Sequence, residues 1–245
     1  MDDVVDALDA AEGVTCLVGA GGKKTTLYAL ASRLDRAVLT ATVRIPIFDR
    51  EVAAVRATHD PVAGLEDAGE STTSFPLGLV RERERDDRYR GYDPATVDDL
   101  ARAHDGPVLV KADDARTRLL KAPSEREPQI PETADTVVPV ASVGAIGEPL
   151  SAETVHRPER VAAVTGAEPG DEVTPELVGR ALAHERGGLK GIPADATAIP
   201  LVNAVDDDAD AAAAREVASV VHEHADVSRV VLARMIEGEV VDVVR

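Results

Sequence analysis

Aromatic side chains make up 2% of the 245 residues, and tryptophan is absent. A core must therefore come from Val, Ala, Leu and Ile, and a hydrophobic content of 44% can supply one at this length. The single cysteine, Cys16, excludes an intrachain disulfide or a cysteine-based metal cluster. Its place inside an apolar run reads as a buried small hydrophobe. No stretch approaches the ~20 apolar residues of a membrane span. The acidic start Met1-Asp2-Asp3 is unlike a secretory leader, so a cytoplasmic location is expected. Lysine is scarce too: it occurs only at 23, 24, 111, 121 and 190, and arginine supplies the other 22 of 27 cationic residues.

The net charge is −18, from 45 acidic against 27 basic residues. Acid-rich, lysine-poor and alanine-rich composition fits a halophilic protein, since in concentrated salt like-charge repulsion is screened within ~3 Å at 1 M. Such a surface argues against nucleic acid or an anionic membrane as partner. Four of the five lysines lie in one glycine-rich stretch or around Asp113, which marks both places as functional.

That stretch spans residues 14–27. An apolar run, read as a buried strand, meets Gly19-Ala20-Gly21-Gly22-Lys23-Lys24-Thr25-Thr26, and a helix continues over residues 27–34. Glycines let backbone N–H groups approach a phosphate closely, and a helix N-terminus adds unsatisfied donors and a positive dipole end. Lysines favour helix C-termini, so two at an N-terminus argue for an anion there. The spacing departs from G-x-x-x-x-G-K-[ST]. With Lys23 as the phosphate lysine, Leu17 replaces the first glycine and Lys24 the metal-binding hydroxyl. With Lys24 in that role, Thr25 supplies the hydroxyl, but Lys23 and Val18 replace the glycines. The short form Gly19-Ala20-Gly21-Gly22-Lys23 resembles the G-x-x-G-K loop of Mur ligases. The expected ligand is ATP or GTP with Mg²⁺, held by Gly19, Ala20, Gly21, Gly22, Lys23, Lys24, Thr25 and Thr26. The plain alternative is a glycine-rich turn with solvated lysines.

Around this loop the pattern is α/β, a three-layer and mainly parallel sheet, in one domain of residues 1–245 with an ill-defined insertion around 50–92. A short helix is expected over 3–11 and a strand over 37–42, ending in the hydroxyl-rich Thr40-Ala41-Thr42. Asp60-Pro61, Gly64, Gly69 and residues 71–74 read as loop, 75–80 as strand, and the mixed-charge run 81–88 as a solvated face. Asp93-Pro94 opens a helix to about 104. Residues 107–113 form an apolar strand delivering Asp113, which would hold the metal together with Thr25. The charged, proline-punctuated segment 114–131 follows, and segments of that kind are functional or disordered. Its Arg116 and Lys121 would stabilise charge in transfer, with Arg118 and Arg126 nearby; a compensated solvent loop is the alternative. Further strands are expected at 136–143, 198–202, 227–233 and 239–244, and helices at 156–165, 174–184 and 209–225. Gly188 and Gly191 flank Lys190 in a turn or second ligand contact. His222 and His224 do not share a helix face, which disfavours a metal site.

Taken together, the chain resembles the YqeC family, selenium-dependent hydroxylase accessory proteins. The likeness runs through Gly19-Ala20-Gly21-Gly22-Lys23, Thr40-Ala41-Thr42, Ala112-Asp113 with Arg116, Leu120-Lys121-Ala122-Pro123, Glu127-Pro128 and Ile130-Pro131. It continues in His156-Arg157-Pro158-Glu159, Thr174-Pro175-Glu176, Gly188-Leu189-Lys190-Gly191, and Asn203 with Asp206. The resemblance implies a P-loop NTPase-like, nucleotide-binding protein linked to maturation of selenium-dependent molybdenum hydroxylases. A molybdenum hydroxylase or its cofactor is then the implied partner, and Lys23 the phosphate lysine. Three departures stand out: Lys24 in place of a hydroxyl residue, Asp114-Ala115 in place of Gly-Ser, and Ala204 in place of lysine in Asn-Lys-x-Asp, a pattern like the guanine-reading motif of GTPases. The expected activity is Mg²⁺-dependent NTP hydrolysis or phosphoryl transfer. A non-catalytic, nucleotide-gated cofactor-binding or delivery module is the alternative, and a Mur-like ligase a third.

Overall fold

The computed structural model describes residues 3–69 and 72–245; Met1 and Asp2 of the acidic start, and Ser71 of the hydroxyl cluster, lie outside them. Helix α1 (Val4–Ala7) is shorter than the sequence suggested; Asp3 caps it by accepting the Val5 N–H at 2.8 Å. Strand β1 (Val14–Gly19) leads through the glycine loop into α2 (Lys23–Ala31). Gly22 serves as its N-cap, so the helix opens on the two lysines, as the sequence suggested, and it ends at Ala31, short of the expected residue 34. Then come β2 (Val38–Ala41), β3 (Ile45–Pro46), β4 (Ala54–Ala57), α3 (Pro61–Ala68) and β5 (Leu77–Val80). A hairpin of β6 (Glu82–Arg85) and β7 (Arg88–Arg90) precedes α4 (Pro94–Ala103) and β8 (Val108–Lys111). After the short β9 (Leu120–Lys121), β10 (Ala134–Ser142) and β11 (Val155–His156) lead to α5 (Pro158–Thr165) and α6 (Pro175–Ala183). The chain closes with β12 (Thr197–Ala198), β13 (Leu201–Asn203), α7 (Asp208–His224), β14 (Val230–Arg234) and β15 (Glu239–Val244).

The central sheet has the order β15-β14-β13-β10-β1-β8-β2-β5-β4, with β12 also on β10. Its pairs are parallel except β14 with β15. Strands β1, β2 and β8 are buried almost throughout, as parallel strands covered on both faces must be. Alternation then sorts their side chains. Leu17, Leu39 and Leu109 meet Leu27 and Leu30 of α2 on one face. Cys16, Val18, Val38, Val108 and Val110 meet Leu65 of α3 and Val97 and Leu100 of α4 on the other. Helices α5, α6 and α7 form a further core with Ala141, Val202 and Leu232. The result is the expected three-layer α/β arrangement, and the apolar mass is indeed Val, Leu, Ile and Ala.

Residues 50–92 are more regular than their composition suggested. Strands β4 and β5 extend the main sheet, and α3 replaces an expected loop. Asp60 caps α3 by accepting the Ala63 N–H at 3.1 Å, and Pro61 takes the first helical position. The charge run 81–88 forms most of a hairpin that pairs with β3, and its charges are matched across strands, Arg90 to Glu82 at 3.3 Å and Arg44 to Glu84 at 2.6 Å.

From β1 the chain crosses over β8 to β2, and it later returns to β10 on the opposite side of β1. The carboxyl ends of β1, β8 and β10 therefore flank a crevice at the point where the direction of winding reverses, the usual ligand position in such sheets. Leu109 lies fully buried in a central strand. Leu109→Ala is expected to cost about 2–5 kcal/mol in denaturant unfolding monitored in concentrated KCl.

Candidate functional site

Strand β8 ends below β1, and the chain beyond it climbs level with the glycine loop. The Ala112 N–H reaches Leu17 O at 3.1 Å, and the Gly19 N–H donates to Asp113 Oδ2 at 2.8 Å. The Ala20 N–H bonds Val140 O at 2.8 Å and the Gly21 N–H bonds Arg118 O at 2.9 Å. The loop is braced from beyond by Asn203, at the end of β13. Its Nδ2 donates to Gly21 O at 2.8 Å, and its Oδ1 accepts the Met235 N–H at 2.9 Å. Gly22 has φ +147°, and a Cβ there would sit 2.1 Å from the Asn203 amide nitrogen, so no larger residue fits.

The first three loop N–H groups are thus consumed by the protein. Those of Gly22, Lys23, Lys24 and Thr25 have no protein acceptor among the described residues, as expected of a helix first turn. Residues 21–25 line an open cleft of about 390 Å³. Its other walls bring Lys111, Arg88 and Arg116 together with Asp114, Ser142 and Ala204. In a chain of net charge −18, this is a concentration of cations.

Beneath the loop lies a buried ionic cluster. Lys23 Nζ is 2.9 Å from Asp113 Oδ1 and also donates to Gly19 O. Lys121 Nζ lies 2.9 Å from Asp113 Oδ2 and 3.2 Å from Glu127, which Arg157 meets at 2.5 Å. The Asp113 side chain is 2% exposed. Burial alone would push its carboxyl up; Lys23, Lys121 and the Gly19 N–H outweigh this and hold it below the ordinary carboxylate range. Burial lowers Lys23, and Asp113 opposes that shift. Three cations face two anions here, so the cluster carries a surplus positive charge. Lys111, at the end of β8, donates to Arg44 O at 2.8 Å and Asp113 O at 2.7 Å, and stands 3.7 Å from Asp114. Burial, with Lys23 nearby, brings its ammonium down to about 8. His156 is held down to about 4 by burial and by Arg157 and Lys121, which leaves it neutral at pH 7.

The expected site residues separate into two sets. Gly21, Gly22, Lys23, Lys24, Thr25 and Arg116 line the cleft. Gly19, Asp113 and Lys121 sit behind the loop against a small gap of about 10 Å³. Ala20 is buried, and Thr26 is buried with its hydroxyl on Gly22 O at 3.1 Å. Arg116 and Thr117 hold left-handed φ values of 48° and 61° at the cleft rim, while Arg118 bonds Ala152 O at 2.6 Å. The 187–191 turn does not form a cleft wall. Lys190 instead clamps the 114–131 segment through Ser124 O at 2.6 Å. His222 and His224 bond main-chain carbonyls at the end of α7. Asp206 pairs with Arg234 at 3.4 Å. The sequence reading marked Lys111 as functional without placing it in the cleft, and missed Arg88 and Ser142 as cleft residues and Glu127 and Arg157 as cluster members. For Lys111 the signal was its rarity as a lysine; Arg88 and Ser142 had none.

Residues 15–159 match the family model described as YqeC protein. The chain belongs to the YqeC family. Over 200 residues it is 27% identical to the uncharacterized protein YqeC of Escherichia coli (strain K12), covering 78% of this chain and 75% of that protein. No solved structure matches. The matched span holds the glycine loop and every member of the ionic cluster; Asn203 and Lys190 lie beyond it. Among the described residues of this YqeC protein, no helix is long and apolar enough to cross a membrane.

Removing the charge of Asp113 strands Lys23 and Lys121 in a dry site. Asp113→Asn is expected to destabilise the protein by about 3–5 kcal/mol, measured by denaturant unfolding at pH 7. The carboxylate's contribution is present above its unfolded value of ~3.9 and disappears as pH falls through its lower folded value, so the gap between wild type and variant closes in acid. Lys111 acts at the other end of the scale. Between about 8 and the unfolded value of ~10.4, the unfolded chain binds the extra proton, so stability rises with pH across that window. In Lys111→Met the rise shrinks, leaving the part due to Lys23.

Proposed function

We propose that this protein binds a nucleoside triphosphate, ATP or GTP, by its phosphates at the 19–25 loop, and couples it to Mg²⁺-assisted hydrolysis or phosphoryl transfer. One observation carries the reading: an ionic cluster with one cation more than its carboxylates lies beneath a helix N-terminus whose first-turn N–H groups have no protein acceptor among the described residues and open on a cation-lined cleft. A polyanion satisfies all of these at once. Within the cleft Arg116 faces the space where charge would develop during transfer. Lys121 acts indirectly, by holding Asp113 in place.

Both Asp113 oxygens face lysines, so an ion bound there would displace one of them. Among the described residues, no group of three or more His, Cys, Asp or Glu side chains could hold a metal. Mg²⁺ carried on phosphate oxygens needs only one or two protein ligands. Thr25 and Asp114 line the cleft and fit that role. The ion would supply charge neutralisation at the phosphates.

The family resemblance extends the reading to maturation of selenium-dependent molybdenum hydroxylases. A second reading, a nucleotide-gated binding or delivery module, draws on the seating of the 114–131 segment directly on the loop through Arg118 O. Filling the cleft would press on that segment whether or not a bond is broken.

Calorimetric titration of ATP, GTP and tripolyphosphate in concentrated KCl tests the reading. Wild type is expected to bind all three, and Gly22→Ala, whose Cβ would overlap the Asn203 amide, to lose about tenfold or more in affinity. A wild type that binds none of them sinks the proposal. Mg²⁺-dependent phosphate release that falls away in Arg116→Ala supports the enzyme; binding without turnover supports the gated module.

A further inference from the structure

We infer that Lys24, and not Lys23, is the lysine that meets the ligand's phosphates, and that Lys23 is a fixed cation of the loop's foundation. The inference rests on the phosphate site proposed above and reassigns its central residue.

The lysines themselves carry the distinction. Four of the five donate to main-chain carbonyls: Lys23 to Gly19, Lys111 to Arg44 and Asp113, Lys121 to Asp114, and Lys190 to Ser124 and Glu125. An ammonium places three donors on one compact head, which fits among converging carbonyls where a planar guanidinium does not. Lys24 is the exception. No hydrogen bond or ion pair holds its ammonium among the described residues, although the protein carries 45 carboxylates. It stands half-buried in the cleft wall, in the first turn of α2, with Lys111, Arg88 and Arg116 lining the same space. The positive end of the helix dipole disfavours a cation at that position. An anion in the cleft removes both objections to it.

Lys23 is placed differently. It is 5% exposed, ion-paired to Asp113 and bonded to Gly19 O. Asp113 Oδ1 has no hydrogen-bond partner and faces only the Lys23 charge. A swing of Lys23 into the cleft would strip that buried oxygen of its one compensation. With Lys24 as the contact, Thr25 becomes the hydroxyl that directly follows the phosphate lysine. The missing hydroxyl is then no longer a departure, although Val18 and Lys23 still stand at the glycine positions, and the role of Lys23 becomes that of a charged support.

Amine labelling separates the two residues without any mutation. The full-length protein is treated with acetic anhydride in concentrated KCl, with and without tripolyphosphate, and each lysine is read by mass spectrometry. Lys24 is expected to react freely and to be protected by tripolyphosphate, while Lys23 stays unreactive in both samples. In binding assays, Lys24→Ala is expected to lose about tenfold or more in tripolyphosphate affinity, the ordinary effect of removing one charge-assisted contact, with an unchanged melting temperature. Lys23→Met is expected to lower the melting temperature instead. Labelling still decides the matter if that variant fails to fold. Wild type that binds tripolyphosphate while Lys24→Ala binds equally well, or protection that falls on Lys23, overturns the inference and leaves the phosphate site standing. Absence of binding by wild type overturns both.

Discussion

Asp113 carries a negative charge into a space closed to water, and two lysines hold it from opposite oxygens. Burying one carboxylate that way costs several kcal/mol, and the cost is met only when partners and hydrogen bonds are nearly ideal. Here the Gly19 N–H supplies the hydrogen bond and Lys23 and Lys121 supply the charge. Each of those partners belongs to a different piece of chain: the loop, the first turn of α2, and the short strand β9. The same three contacts therefore fix the glycine loop, the helix start and the irregular segment in one geometry. Glu127 and Arg157 extend the arrangement to the start of α5.

Apart from the two-residue strand β9, paired with β11, regular structure does not order residues 112–131, so something else must. Main-chain carbonyls in that segment point at lysines: Asp113 O and Asp114 O to Lys111 and Lys121, and Ser124 O to Lys190. The segment returns the favour through Arg118 O, which accepts the Gly21 N–H, and Leu119 O, which accepts the Ser142 N–H. A charge-assisted bond to a carbonyl is stronger than a neutral one, and it loses little to salt when buried. The chain is strongly acidic overall, while the ionic cluster beneath the loop holds one cation more than its carboxylates.

What was legible in the sequence was the part governed by local chemistry. The strand, glycine turn and helix around residues 14–31 follow from an apolar run and three glycines, and Asp93-Pro94 and Thr174-Pro175 announced their helices through capping. The same chemistry stood at Asp60-Pro61, where glycines and alanines diluted the apolar pattern and the helix was taken for a loop. The charge run 81–88 forms the solvated face expected of it, with no buried residue, but its pairing across a hairpin hides in a linear reading. At the site, rarity pointed to the lysines, but their division into supports and a free group depended on distances between carbonyls far apart in sequence. Arg88 and Ser142 reach the cleft from separate sheets, and no local pattern foretells that.

Asn203 shows why the loop survives a departure nearby. In Asn-x-x-Asp the position of the customary lysine is filled by Ala204, whose φ of 63° and small side chain place it at the cleft wall. If the motif existed only to read a base, the loss of that lysine would free Asn203 to change. Instead its amide spans the gap between Gly21 O and the Met235 N–H, and it occupies the volume that a Cβ on Gly22 would need. Asparagine satisfies both partners with one donor and one acceptor on a planar group; aspartate would lose the donor to Gly21, and leucine would lose both bonds inside the fold. Asp206, by contrast, is turned to Arg234 and has no such tie to the loop. The constraint on this part of the chain is therefore mechanical. The glycine loop keeps its shape because a side chain from β13, two strands away in the sheet, holds it.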